Sequence, residues 1–353
     1  MDVFVQAENR FLTSVNSFSS DSYLLKIHLL KQKIGKTPLV HIDNVNGSSI
    51  YAKLEYYNPL SRSVKDRPAV YMLEGAIKQG LVTSGNTTFV EASSGNLGIA
   101  YGHAGRFLGL KTLIVIPSVI GKKTFERIRE TGSTVEKTPD GYCPRRNERD
   151  GAIAKVKDMY LDDPNKIWLD QYSNQDNLIA HMEGTGPEIW NQIQEKKTNI
   201  VLGVGTGGSL VGITKYLKVE NPEVKSIAVQ PQENHHIQGL RNFKESLEPE
   251  ILRKNKNLID SWIEVSDYES FEATKYLWRK GYLVGTSSGL NYVAARRIAK
   301  QNKGSTIVTL FPDTCINSFK LNQEHILNGN PDKKYEENSK SVFWKQNCFG
   351  KSF

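Results

Sequence analysis

From residue 49 to residue 137 the chain alternates between strand-like and helix-like runs: strand 49–55, helix 67–79, strand 87–92, helix 97–109, strand 112–117, helix 121–131 and strand 133–137. Such alternation predicts parallel strands joined by right-handed crossover helices. Residues 138–150 interrupt the series, with two prolines, a glycine and three arginines in a connection longer than usual. A helix over 151–160 leads to Ile167–Tyr172. A second series follows: helix 178–195, strand 199–204, helix 209–218, strand 226–230, helices 269–279 and 289–301, strand 305–311 and helix 315–328. Tyr23–Lys33 reads as a further amphipathic helix. The two series predict an α/β architecture of two domains, one inserted into the other, with a site in the cleft between them. The expected bounds are an N-terminal arm over 1–22, a larger domain from 23–52 and 169–329, a smaller domain over 53–168, and a polar tail over 330–353.

Composition narrows the function. At 353 residues, 38% apolar and 24% charged, the chain can bury two cores and is not a disordered one. No apolar run reaches the roughly 18 residues needed to span a membrane, so no membrane partner is expected. The N-terminus, Met1-Asp2-Val3-Phe4-Val5-Gln6-Ala7-Glu8, carries acids where a signal peptide needs bases, which makes the cytoplasm the default location. The net charge of +8 is spread among acids, with no basic block interleaved with aromatics. It points to anionic small molecules as partners and not to nucleic acid. The three cysteines, Cys143, Cys315 and Cys348, form no C-x-x-C, which argues against a disulfide framework or a metal site.

Three turns stand out when taken together. Lys65, in Ser63-Val64-Lys65-Asp66-Arg67, falls between a strand and a helix, where a side chain can project into a cleft. Read alone it is a charged turn. Ser93-Ser94-Gly95-Asn96 stands at the next strand-to-helix turn, where Ser and Asn are ordinary N-caps. Gly205-Thr206-Gly207-Gly208-Ser209 leaves the apolar strand Ile200–Val204 and opens a helix. Glycines there permit close backbone approach, and a helix N-terminus favours an anion. The loop lacks the lysine of a P-loop and the G-x-G-x-x-G spacing of a dinucleotide site, which argues against nucleotides.

S-V-K-D-R, S-S-G-N and G-T-G-G, in this order and at these separations, resemble the cysteine synthase and cystathionine β-synthase family of fold-type-II pyridoxal phosphate (PLP) enzymes. Ile34-Gly35-Lys36-Thr37-Pro38-Leu39-Val40, Thr185-Gly186-Pro187-Glu188-Ile189-Trp190, Gly285-Thr286-Ser287-Ser288-Gly289 and Phe311-Pro312-Asp313 are similar to further family motifs. The resemblance spans about Ile34 to Ser318 and implies pyridoxal 5'-phosphate as cofactor.

It implies Lys65 as the Schiff-base lysine and the base at the substrate Cα, with Gly205, Thr206, Gly207, Gly208 and Ser209 around the cofactor phosphate. Asn96 would bond the phenolic oxygen, and Ser287 would face the pyridine nitrogen. Ser93, Ser94, Gly95, Asn96 and Gln171 would receive the substrate carboxylate. In His235-His236-Ile237-Gln238-Gly239-Leu240-Arg241, Gly239 would line the substrate site. Arg241 is a candidate for a leaving phosphate or else a solvated surface arginine. Arg145 and Arg146 could clamp an anion or simply lie in a solvated loop. Ser93 and Leu97 stand where the family has Thr, and Leu97 drops a hydroxyl.

The implied activity is β-replacement on O-acetyl- or O-phospho-L-serine through an aminoacrylate, with sulfide the first nucleophile and L-cysteine the product. Lys65-Asp66-Arg67-Pro68-Ala69 and Ser94-Gly95-Asn96-Leu97-Gly98-Ile99-Ala100 look like a branch that uses an amino-acid amine such as L-glutamate and makes a diaminopropionate precursor. A catalytically silent homologue acting as a binding partner is the reading from another class, and the intact Lys65 argues against it. A homodimer is expected by analogy.

Overall fold

The computed structural model describes residues 20–82, 85–93, 95–139, 151–193, 197–317 and 326. The N-terminal arm before residue 20, Ser94, the arginine loop from residue 140, and the tail lie outside the described residues.

Helix α1 (Ser20–Lys33) is followed by β1 (Leu39–Val45), β2 (Ser48–Leu54), α2 (Asp66–Lys78), β3 (Thr88–Ala92) and α3 (Asn96–Leu108). Next come β4 (Lys111–Pro117), α4 (Lys122–Glu130), β5 (Thr134–Thr138), α5 (Ala152–Asp162) and β6 (Lys166–Trp168). The chain continues with α6 (Gln175–Ala180), a π-helical turn (His181–Thr185), α7 (Gly186–Ile193), β7 (Thr198–Gly203), α8 (Gly208–Glu220) and β8 (Lys225–Pro231). Last are α9 (Glu250–Lys254), β9 (Ser261–Val265), α10 (Asp267–Arg279), α11 (Thr286–Gln301) and β10 (Thr306–Phe311).

The strands make two sheets, a six-stranded one ordered β1-β2-β10-β7-β8-β9 and a four-stranded one ordered β5-β4-β3-β6. All pairings are parallel except β1 with β2. That hairpin turns at Asn46-Gly47, both at positive φ, and the dipeptide is the sequence signal for it. β1, β6, β9 and α9 go beyond the elements expected from the sequence. Most of β9 is exposed at the sheet edge, so it carries no strong apolar pattern. The single helix expected over 178–195 is divided by the π-turn, where Gly184, Gly186 and Pro187 weaken regular helix. Of the helix expected over 315–328, Cys315–Asn317 form a turn, and most of the rest lies outside the described residues.

Helix α11 fills the centre of the larger core, with Leu290, Tyr292, Val293, Ala294 and Ala295 fully buried against β1, β2 and α10. The smaller core joins α1, α2 and α3 to β3 and β4 through Tyr23, Ile27, Met72, Leu73, Phe89, Tyr101 and Ile114.

β7 and β10 pair only from Thr306 with Thr198 to Val308 with Ile200. Beyond that they diverge, and Asn291 of α11 spans the gap. Its Oδ1 accepts from Gly203 N at 2.7 Å and its Nδ2 donates to Leu310 O at 2.8 Å. One amide therefore satisfies two backbone groups that a closed ladder would have paired with each other. Asn291→Leu leaves both without that partner. It should lower stability by about 2 kcal/mol, read as an earlier midpoint in denaturant titration.

A buried ionic network ties α2 to α7 and β2. Arg67 Nε donates to Glu55 Oε2 at 2.7 Å and Nη1 to Glu188 Oε1 at 2.8 Å. Lys53 Nζ lies 2.8 Å from Glu188 Oε2. Burial works to raise the Glu188 carboxyl, but hydrogen bonds and charge from Arg67 and Lys53 outweigh it and bring the group down to about 2. A carboxyl depressed by folding contributes stability above its unfolded value near 4.3 and loses it as pH falls towards the folded value. The stability difference between wild type and Glu188→Gln should therefore be constant above about pH 5 and shrink towards pH 2, as read by denaturant titration at each pH.

Candidate active site

The carboxyl ends of three neighbouring strands of the large sheet, β2, β10 and β7, lead to Lys65, Asp313 and the glycine loop. The carboxyl ends of β3 and β6, neighbours in the small sheet, lead to Ser93 and Gln171. All five border one cleft, as ligand sites in open α/β sheets do. Two adjoining hollows share it. One, of about 710 Å³, includes Lys65, Ser93, Asn96, Gln171, Gly239 and Arg241 in its lining. The other, of about 640 Å³, includes Lys65, Asn96, Gly205, Ser209, Ser287 and Asp313.

Lys65 is pinned through its backbone. Its N–H donates to Ser63 Oγ at 3.1 Å, and Val64 N donates to Pro312 O at 2.8 Å. Asp66 holds the preceding loop, accepting from Leu60 N at 2.6 Å, Ser61 N at 2.8 Å and the Ser61 hydroxyl. Part of the Lys65 surface is accessible, but it faces the cleft and is surrounded by protein. That burial, with the positive charge of Arg241, pulls the ammonium down to about 8 against the opposing pull of Glu91. Glu91 is itself buried, which raises its carboxyl well above the usual range. Its Oε1 accepts from Ala92 N and Trp168 Nε1 at 3.1 and 3.4 Å.

Ser93 Oγ accepts from Gly95 N and Gly98 N, both at 3.1 Å, and so holds the start of α3 as an N-cap does. Ser94 lies outside the described residues. Gly95 has φ 144°, and a Cβ there would stand 2.9 Å from Thr124 Cγ2. Asn96 Nδ2 donates to Asp313 Oδ2 at 2.8 Å. Leu97 is buried and borders the first hollow.

Gly205 lies against the carbonyl of Gly239, which a Cβ would meet at 2.3 Å, so only glycine lets these two loops approach. Gly207 and Gly208 open α8. The Thr206 hydroxyl accepts from Gly208 N at 3.3 Å and from Asn177 Nδ2 at 3.0 Å. Asn177 Nδ2 also donates to Gln171 O at 2.6 Å, and Gln171 Nε2 donates to Ala92 O at 2.9 Å. The glycine loop of one sheet is thereby connected to the strand end of the other.

The Ser209 hydroxyl meets His181 Nε2 at 3.1 Å, and His181 Nδ1 meets Thr185 Oγ1 at 2.9 Å. Burial, with Arg67 and Lys65 nearby, pushes the imidazole well below its usual value, so it stays neutral. Ser287 and Asn291 are one turn apart on α11 and both line the second hollow.

Arg241 is only 5% exposed, which removes the solvated-surface reading. Its guanidinium lies 4.2 Å above the Tyr172 ring, and Nη1 reaches Ser246 Oγ and Leu247 O, both at 3.3 Å. Nη2 is buried without a hydrogen-bond partner. His236 bonds Asp267 at 2.9 Å, and among the described residues no group of three or more His, Cys, Asp or Glu is placed to hold a metal. Among the same residues no helix is long and apolar enough to cross a membrane.

From the three turns the cleft gathers Lys65, Ser93, Asn96, Gly205, Thr206, Gly207 and Ser209, while Gly95 and Gly208 stand behind its lining. It also adds Asp313, Asn291 and Tyr172, with His181 and Asn177 behind Ser209 and Thr206, none of which the sequence reading gave a role. Asn291 could have been found as the residue one turn after Ser287. The others act through partners remote in sequence.

Comparison with known proteins agrees with this geometry. Residues 30–313 match the family described as pyridoxal-phosphate dependent enzyme. A cysteine synthase of Aquifex aeolicus is 36% identical over 293 residues, covering 79% of this chain and 87% of that one. The crystal structure of an O-acetylserine dependent cystathionine β-synthase from Helicobacter pylori superposes with a TM-score of 0.73 at 32% identity, covering 81% and 94% of the two chains. That of an O-ureido-L-serine synthase gives 0.75 at 26% identity, covering 86% and 96%. The chain belongs to the pyridoxal-phosphate-dependent enzyme family, in its cysteine synthase and cystathionine β-synthase branch, and is a β-replacing enzyme whose cofactor is PLP.

Proposed function

We propose that the chain replaces the β-substituent of an O-activated L-serine, with sulfide as the first nucleophile and L-cysteine as product. The carrying observation is that the lowered amine of Lys65 shares one cleft with the glycine loop, Asn96 and Ser287. These residues fit PLP. Gly205 approaches Gly239 through backbone alone, which keeps the loop open to a phosphate. The start of α8 favours an anion there, and Asn96 Nδ2 has a second N–H beyond the one given to Asp313.

In this reading Lys65 would hold the cofactor through its aldehyde carbon. Gly205–Ser209 hold the phosphate, with Ser209 oriented by neutral His181. Asn96 meets the phenolic oxygen and Ser287 the pyridine nitrogen. When bound, the cofactor would supply an electron sink for the substrate Cα, so that its proton can be removed and the β-substituent can leave. The Lys65 amine would take that proton and return it; an amine near 8 suits both directions at neutral pH. Ser93, Ser94, Gly95, Asn96 and Gln171 receive the carboxylate. The oxygen of the Ser93 hydroxyl is engaged by two backbone N–H groups, so its help comes as a donor. Gly239 lines the way in, and Arg241 offers the unengaged Nη2 to a leaving phosphate. A cytoplasmic homodimer completes the reading.

The Aquifex relative supports sulfide and the Helicobacter structure supports acetylserine. The buried Leu97, where the family has a hydroxyl, favours a second reading in which an amino-acid amine such as L-glutamate is the nucleophile. The name O-ureido-L-serine synthase likewise shows that the product varies on this fold. With acetylserine or phosphoserine incubated in turn with sulfide, homocysteine or glutamate, sulfide should be the nucleophile consumed, giving cysteine by mass; a diaminopropionate product from glutamate would select the second reading.

Lys65→Ala should abolish the visible band of the lysine-bound cofactor, and a persisting band would point to another lysine. Arg241→Ala should cut kcat/KM for phosphoserine about 100-fold while changing that for acetylserine by less than about threefold. Equal losses on both substrates would defeat the phosphate assignment.

A further inference from the structure

Asp313 sits where the loops of the two sheets meet. It follows β10, is 6% exposed, and borders the second hollow. Its Oδ2 accepts from the Nδ2 of Asn96, the first residue of α3. Its backbone carbonyl accepts from Gly285 N at 3.2 Å, and its backbone bridges Ser63, two residues before Lys65. One residue therefore touches the lysine turn, the turn that opens α11 ahead of Ser287, and the Asn96 amide.

Two observations indicate that the side chain does more than join loops. Gly285 has φ −76° and ψ 170°, a backbone that any residue adopts. Yet a Cβ there would stand 2.2 Å from Asp313 Oδ1. Glycine is needed at this position for the room of the carboxylate and not for the backbone. In addition, Asp313 Oδ1 and Asn96 Oδ1 are both buried without hydrogen-bond partners, a cost that a simple structural link would avoid.

An ionised carboxylate only accepts hydrogen bonds, so it dictates which end of a neighbouring amide faces it. Burial pushes Asp313 up to about 6, opposed by the Asn96 bond and by Arg127, so at neutral pH it is still mostly ionised. An asparagine without such a partner turns over a broad range about its last torsion.

We propose that Asp313 is a positioning residue that fixes the plane and sense of the Asn96 amide, leaving the second Nδ2–H for the phenolic oxygen of the cofactor and so setting its electronic state. This rests on the reading of Asn96 given above. It adds a carboxylate of the large sheet as the part that holds Asn96 in place.

The test uses holoenzyme without substrate. Wild type, Asn96→Ala, Asp313→Ala, the double variant and Gly285→Ala are loaded with PLP. The visible spectrum is followed across pH, and the cofactor dissociation constant is measured. Asp313→Ala should move the band and its titration in the same direction as Asn96→Ala and weaken cofactor binding about tenfold. The double variant should be no worse than Asn96→Ala alone. Gly285→Ala should reproduce the Asp313→Ala spectrum, and should add nothing when combined with Asp313→Ala. It also serves as the probe if Asp313→Ala does not fold.

A wild-type spectrum in Asp313→Ala with a lowered melting temperature would reduce Asp313 to a structural link and overturn the proposal. Additive effects in the double variant would overturn it as well. An altered Asn96→Ala beside an unaltered Asp313→Ala defeats this proposal alone. An Asn96→Ala spectrum equal to wild type defeats the Asn96 assignment, and this proposal with it.

Discussion

The parting of β7 and β10 is the constraint from which the rest of the site follows. Two parallel strands that stayed paired to their ends would leave no crevice between them. Here the ladder stops after Val308 with Ile200, and the side chain of Asn291 takes over the two backbone groups at Gly203 and Leu310. An amide suits this position because it has a donor and an acceptor on one planar group. The opening is held by a residue of the most buried helix in the large core, so its width is set by packing. Gly205, Asp313 and Lys65 are then delivered to its rim by chain direction alone.

The electrostatics follow from the same enclosure. Protein on all sides lowers the amine of Lys65 and raises the carboxyls of Glu91 and Asp313, each towards its neutral form. Arg241 stays in the wall because a tyrosine face supports its guanidinium and Ser246 and Leu247 engage one of its nitrogens. The Arg67 network behind α2 is the contrasting case. There each buried charge meets an opposite one at close range, and Glu188 is held ionised. One helix thus separates a paired region, which fixes position, from an unpaired one, which leaves groups free to exchange protons.

Much of this was legible in the sequence, for a physical reason. Lys65, Asn96 and the glycine loop all fall at strand-to-helix turns, and it is the three motifs together, by resemblance to a family, that single them out. The alternating pattern also gave the parallel sheets. What was not legible depends on distance. Asn291 matters because it reaches residues 203 and 310, and no local pattern announces that. Asp313 could be read as part of a motif, but its bond to Asn96 spans 217 positions. Arg241 was visible as an arginine, whereas its burial was not. Apolar residues at 178, 179, 182, 189, 190 and 193 suggested one helix, and Gly184, Gly186 and Pro187 between them were the overlooked signal of the π-turn.

That π-turn places His181 beneath Ser209. It holds one more residue than a regular turn would, and successive helical residues are rotated by about 100°. A chain lacking any one residue between 181 and 185 could wind as a single straight helix, with gentler geometry. The imidazole would then swing round by that angle, away from the serine it supports, or else the whole of α7 would turn instead and carry Glu188 off Arg67. Natural insertions and deletions in this stretch therefore face a frame of their own: whole turns can be exchanged, but single residues cannot.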